Sequence, residues 1–152
     1  METTDERTLA ELRREVEEEL EEAVRSPDFR VRALGYRAIG QLRFVQKTEL
    51  LRRGLEDESP ACRGSALLAL ELLSRNHPRL VNGVRPLLHE LANADANGAV
   101  RRLAVLSLRN GSPSRDTITL LEHIAAEDGE EKDLRAAATT VQQTLKRKAG
   151  PR

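Results

Sequence analysis

Tryptophan is absent, and Phe29, Tyr36 and Phe44 are the only aromatic residues in a chain of 152. A core without rings must be built from leucine, valine, isoleucine and alanine. That suits helix packing better than a sheet, where β-branched and aromatic side chains are favoured. Cysteine is nearly absent too: Cys62 stands alone, so no intramolecular disulfide can form and the secreted, disulfide-stapled class is excluded. No run approaches the roughly 18 apolar residues of a membrane span, and the N-terminus opens on acids rather than on a basic segment followed by an apolar one. A cytoplasmic protein with no membrane partner is the expectation. Net charge is lacking as well, since 25 basic residues stand against 25 acidic ones, so no overall field draws the chain toward nucleic acid or an anionic surface.

What is present is charge and pattern. Residues 1–25 hold ten acids against four arginines, a net of −6, which leaves +6 on the remainder. An acidic leader therefore precedes a mildly basic body. The length fits a single domain, 1–152, of a size that buries roughly 70% of its unfolded surface.

The body repeats itself. A polar cap is followed four positions later by an arginine, and the pair recurs as Asp28 and Arg32, Ser59 and Arg63, Asn97 and Arg101, Glu131 and Arg135. Before each arginine stands an apolar residue (Val31, Cys62, Val100, Leu134), and three positions beyond it a very small one (Gly35, Ala66, Ala104, Ala138) that lets another helix approach closely. Ile39, Leu70 and Leu108 share a further position, which Gln142 breaks in the last copy. A second pattern of leucine pairs, Leu50–Leu51, Leu87–Leu88 and Leu120–Leu121, alternates with the first at nearly the same period. Two interleaved patterns of equal period describe a hairpin of helix A and helix B repeated along the chain. Punctuation agrees: Ser26-Pro27 and Ser59-Pro60 put proline where a first helical turn tolerates it, and Asn76-His77-Pro78 and Asn110-Gly111-Ser112-Pro113 separate A from B.

The helices expected are 5–25, 28–44, 47–56, 60–75, 79–93, 97–109, 114–127 and 131–148, about eight in all. Residues 1–25 would form an acidic capping helix, with Leu9, Leu12, Val16 and Leu20 on one stripe and Thr3 and Glu6 spaced as a capping box. Residues 26–145 would hold the repeats. Residues 146–152 would be a basic, frayed tail, its Lys146, Arg147 and Lys148 suited to the negative end of a helix dipole.

The Asp-x-x-Val-Arg run at 28–32, followed by Ala33, Gly35, Ala38, Ile39, Gly40 and Leu42, resembles a HEAT repeat, in particular the bacterial HEAT-like kind also found in phycobilisome lyases and DNA-alkylation-repair proteins. The resemblance spans residues 26–145. It departs from the pattern at Cys62, where valine is usual, and at Asn97, where aspartate is usual. It implies an all-α, right-handed α-solenoid of about four hairpins whose B helices line a concave side that binds proteins.

Residues that invite a chemical reading have structural readings beside it. Arg32, Arg63, Arg101 and Arg135 could form a ladder for phosphates; one turn into each A helix, they are better placed to bridge caps and carbonyls with their forked donors. His77, His89 and His123 lack any partner at metal-ligand spacing and read as solvent-facing, and Cys62 occupies an apolar position and reads as a buried, inert thiol. No catalytic residue, metal site or cofactor is expected. Aligning the B helices on their leucine pairs groups Arg52, Arg53, Arg85, His89 and His123 on the concave face, a stripe fitting an acidic peptide or helix of a partner protein. The function expected is a non-catalytic adaptor or scaffold. Its alternatives are a nucleic-acid-binding protein, signalled by salt-dependent DNA retention, and a lyase or chaperone for a bound pigment. Exposed ends of a short stack also leave room for a homodimer.

Overall fold

The structure, a computed structural model, describes residues 4–150. Among these, every regular element is an α-helix: α1 (Thr4–Ala23), α2 (Phe29–Gln41), α3 (Thr48–Leu55), α4 (Pro60–Ser74), α5 (Pro78–Asn82), α6 (Arg85–Ala94), α7 (Gly98–Leu108), α8 (Arg115–Ala126) and α9 (Lys132–Ala149). The nine helices exceed the eight expected because the segment read as 79–93 is two helices. Pro86 has no N–H to give the carbonyl of Asn82, and its ring would collide with that carbonyl. The chain therefore breaks at Gly83–Val84 and restarts with Pro86 in the first turn of α6, where proline fits.

The chain divides into two compact units, Met1–Leu73 and Ser74–Arg152. In the first, α1 is held at its C-terminal half. Leu20 and Val24 are buried, Leu12 is exposed, and Lys47 places its Nζ 2.6 Å from both Glu17 and Glu21. The Thr3 member of the expected capping box lies outside the described residues. Asp28 caps α2, its carboxylate accepting from the Arg30 N–H at 2.9 Å. The helix stops at Gln41 rather than 44 because Arg43 turns left-handed at φ 59°, which lets the N–H of Phe44 return to the Ile39 carbonyl at 2.9 Å. Phe44 is thereby buried.

Close approach explains two glycines of α2. A Cβ at Gly35 would lie 2.8 Å from Val24 at the end of α1, and one at Gly40 would lie 2.8 Å from the Cα of Ala69 in α4. Helix α2 thus lies against α1 on one flank and α4 on another. Tyr36, Ile39, Leu51, Leu55, Cys62, Ala66, Leu67 and Leu70 are among the side chains buried in this unit.

In the second unit α6 packs on α7, α7 on α9, and α8 on α9. One member of each leucine pair is buried: Leu88 in α6 and Leu121 in α8, as Leu51 is in α3. Asn97 caps α7 through Oδ1, 3.0 Å from the Val100 N–H. Glu131 sits at the cap of α9 but makes no side-chain cap bond. A short side chain closes that ring better than glutamate does. Helix α9 runs through Ala149, with Lys146–Lys148 in its last turn as the dipole argument expects, so the basic tail read as 146–152 is helical as far as Ala149; Pro151 and Arg152 lie outside the described residues.

Candidate functional site

Each of the four repeat arginines donates to main-chain carbonyls just ahead of its helix. Arg32 grips both oxygens of Asp57, with Nε 2.9 Å from Oδ2 and Nη2 3.0 Å from Oδ1, while its Nη1 donates to the carbonyls of Ser26 and Pro27 at 3.0 and 3.2 Å. Arg63 repeats this one hairpin later, its Nη1 donating to the carbonyls of Asp57 and Glu58 at 2.9 and 3.0 Å. Arg101 donates from Nε to the Ala92 carbonyl at 2.9 Å and grips both oxygens of Glu130. Arg135 reaches the Ala125 carbonyl at 3.2 Å and stands 3.6 Å from Asp128. A planar fork with several donors suits this task, because the carbonyls of a loop (Ser26, Pro27, Asp57, Glu58) and of a helix's last turn (Ala92, Ala125) have no helical partner.

Electrostatics follow the geometry. The Asp57 hydrogen bond raises the Arg32 guanidinium above its ordinary value. Burial alone would raise the Asp57 carboxyl, but Arg32 and the Ser59 N–H outweigh it and hold it below the ordinary range. Hydrogen bonding to Arg101 lowers Glu130 in the same way. The donors that a phosphate ladder would need are spent on the protein's own acceptors.

Helix α6 and the start of α8 are joined by two side chains expected on an open face. Arg85 donates to Asn82 Oδ1 at 2.5 Å and to the Ser112 carbonyl at 2.8 Å. His89, half-buried rather than solvent-facing, holds the buried Thr117 hydroxyl at 2.8 Å. Burial lowers the His89 pKa, and Arg85 one turn away adds to this while Asp116 opposes it. Arg52 and Arg53 on α3 are exposed, with Glu49 4.0 Å from Arg52, and His123 on α8 is exposed as well. Arg85 and His89 are thus brought together and engaged, whereas Arg52, Arg53 and His123 remain open to solvent.

Cys62 is fully buried and donates to the Phe29 carbonyl at 3.2 Å; burial pushes its thiol up, which keeps it protonated. Among the described residues no three His, Cys, Asp or Glu side chains gather where a metal would be held. A cavity of about 560 Å³ opens between the first turn of α8 and the last of α9, lined by Arg115, Ile118, Glu122 and Lys146 among others. Its Glu122 and Lys146 pair with each other at 3.6 Å. No helix among the described residues is long and apolar enough to cross a membrane.

Leu12, Phe29, Val31, Leu34, Leu68 and Leu72 are the exposed large hydrophobic residues described, and all six lie in α1, α2 and α4 of the first unit. Scanned against family models, curated proteins and solved structures, the chain gives no significant match. The site is therefore read from its own residues. Sequence reasoning placed the candidate surface on the leucine-pair helices and passed over these six. The signal was available in Val31, the apolar residue before the first of the four repeat arginines.

Proposed function

We propose that this chain is a non-catalytic protein-interaction scaffold, a short right-handed α-solenoid of HEAT-like hairpins with α2, α4, α7 and α9 as its A helices and α3, α6 and α8 as its B helices. The arginines Arg32, Arg63, Arg101 and Arg135 each donate to main-chain carbonyls that precede their helices, Arg32 and Arg63 to the loop before and Arg101 and Arg135 to the last turn of the helix before, and this supports the repeat reading, as do the buried small residues three positions after them. The observation that carries the interaction reading is the gathering of all six exposed large hydrophobics in one unit. Single apolar residues scattered over a surface mean little, but Val31 and Leu34 on α2 and Leu68 and Leu72 on α4 stand three or four apart, so each pair shares one helix face.

Two surfaces are candidates: the exposed Arg52 and Arg53 of α3, and the apolar residues of α2 and α4. The structure favours the second, because burying aliphatic side chains is a favourable term at any salt concentration, while exposed arginines contribute mainly steering. The test is capture of partners from nuclease-treated lysate on three baits: the wild type, Arg52→Ala with Arg53→Ala, and Leu68→Glu with Leu72→Glu. A protein lost only from the leucine variant supports the reading on α4. Loss from the arginine variant alone moves the site to α3, and material retained only without nuclease makes nucleic acid the partner.

A further inference from the structure

The repeat supplies an internal standard for which faces of an A helix ought to be covered. The row Val31, Leu34 and Ala38 of α2 corresponds, counting from each repeat arginine, to Cys62, Ser65 and Ala69 in α4, to Val100, Leu103 and Ser107 in α7, and to Leu134, Ala137 and Val141 in α9. The position of Val31 is 39% exposed in α2 but 0%, 2% and 4% exposed in the three later copies. Leu34 is 67% exposed, whereas Ser65 is buried and Leu103 and Ala137 are half-buried; Ala38 is half-buried, whereas Ala69, Ser107 and Val141 are buried. The difference has a visible cause. In α4 the row is covered by the preceding A helix, since Ala69 meets Gly40 of α2 and the Cys62 thiol meets the Phe29 carbonyl; in α9, a helix that packs on α7, Leu134 and Val141 of the row are buried. Helix α1, which precedes α2, meets Gly35 on one flank of the row and leaves Val31 and Leu34 exposed.

The spacing of 31, 34 and 38 is that of successive seam positions in a paired-helix interface. The flanks of the row differ in charge. On one side is α1, whose exposed residues include Glu11, Glu15, Glu18, Glu19 and Glu22; on the other, at helical spacing, are the exposed Arg30 and Arg37 of α2. Arg30 is shared with Asp28 at 3.2 Å. A face with an apolar centre, an acidic flank and a basic flank is complementary to itself about a two-fold axis that runs along the helix. That operation brings apolar against apolar and sets each acidic flank opposite the other copy's basic one. The far end of the chain makes a poor alternative occupant, because the exposed outward residues of α9 include Lys132, Thr140, Gln143 and Arg147.

We propose that the Val31–Leu34–Ala38 row is a homodimer seam, on which α2 of one copy pairs in parallel with α2 of a second. This rests on the interaction reading above and names the occupant of part of that surface. The seam's Leu34 is exposed in the isolated chain, so changing it leaves the fold intact.

The test is sedimentation velocity on purified protein across a wide concentration range, with Leu34→Glu, Arg37→Glu and, as a control off the row, Leu68→Glu. We expect a wild-type dimer, a monomer for Leu34→Glu with an unchanged helical spectrum, weakened association for Arg37→Glu, and no change for Leu68→Glu. A Leu34→Cys variant should form an intermolecular disulfide on mild oxidation, since a two-fold along α2 sets residue 34 opposite its own copy; buried Cys62 should not. A wild type that sediments as a monomer throughout overturns the seam, as does a dimer that survives Leu34→Glu. In either of those cases capture of a foreign protein through Leu68 and Leu72 leaves the scaffold reading standing, and failure of that capture removes it separately.

Discussion

At the scale of single residues, the informative positions are those that break the repeat. Gln142 stands where Ile39, Leu70 and Leu108 are buried, and its Oε1 is enclosed without a hydrogen-bond partner. An unpartnered buried carbonyl costs about 1–3 kcal/mol. Gln142→Leu should therefore raise stability by about 1 kcal/mol, read as a higher denaturation midpoint with an unchanged slope. Arg101 obeys the repeat, and Arg101→Ala should cost about 1–3 kcal/mol by stranding the Ala92 carbonyl and Glu130. A midpoint unmoved by that change would return Arg101 to the list of candidate binding residues. His89 carries a pH signature. Its folded pKa is depressed, so the unfolded chain binds the proton more readily, and stability must fall as pH drops through the ordinary histidine value of about 6.5. Melting curves between neutral and mildly acidic pH should show this loss, and His89→Gln should reduce it.

At the scale of elements, helix ends were harder to read than helix interiors. The A and B patterns placed the described helices within a few residues, because apolar periodicity reports the face a helix buries and that face was consistent along the chain. The end of α2 was missed by three residues, 41 against 44, since nothing in the local sequence marks Arg43 as left-handed; glycine is the usual signal there. A left-handed arginine costs about 1 kcal/mol relative to glycine. Arg43→Gly should thus stabilise the protein by about that amount in the same denaturation experiment. The α5–α6 break was legible in principle from Pro86, but the leucines on either side sustain the helical pattern through it.

At the scale of the whole molecule, the buried or half-buried carboxylates bear on both units, Asp57 in the first and Glu130 in the second. Both have folded values below the ordinary carboxylate range. Their contribution is complete above that range, near pH 4, and is lost as pH falls through the depressed folded values. Acid titration followed by circular dichroism should show helicity falling below about pH 4, with the loss smaller in a variant carrying Asp57→Asn and Glu130→Gln, whose neutral amides have no proton to gain. Persistence of the full wild-type loss in that variant would assign acid unfolding to other carboxylates.

The sequence by itself determined the helical class and the position of the arginines that bind main-chain carbonyls, because each of these depends on residues close together in the chain or on a period repeated along it. Cys62 is buried as its apolar repeat position led one to expect, but Val31 at the same position of the first copy is exposed, so that burial needed the packing of neighbouring helices too. What Arg32 and Arg101 would grip could not be read from the sequence: Asp57 and Glu130 stand 25 and 29 residues away. Arg85 and His89, assigned to an open face by alignment of leucine pairs, were turned to internal work by Asn82, Ser112 and Thr117, which arrive from other elements. The exposure of Val31 and Leu34 was likewise a tertiary decision. Their identity is that of a covered row, and only the packing of neighbouring helices decides which copies of the row are covered.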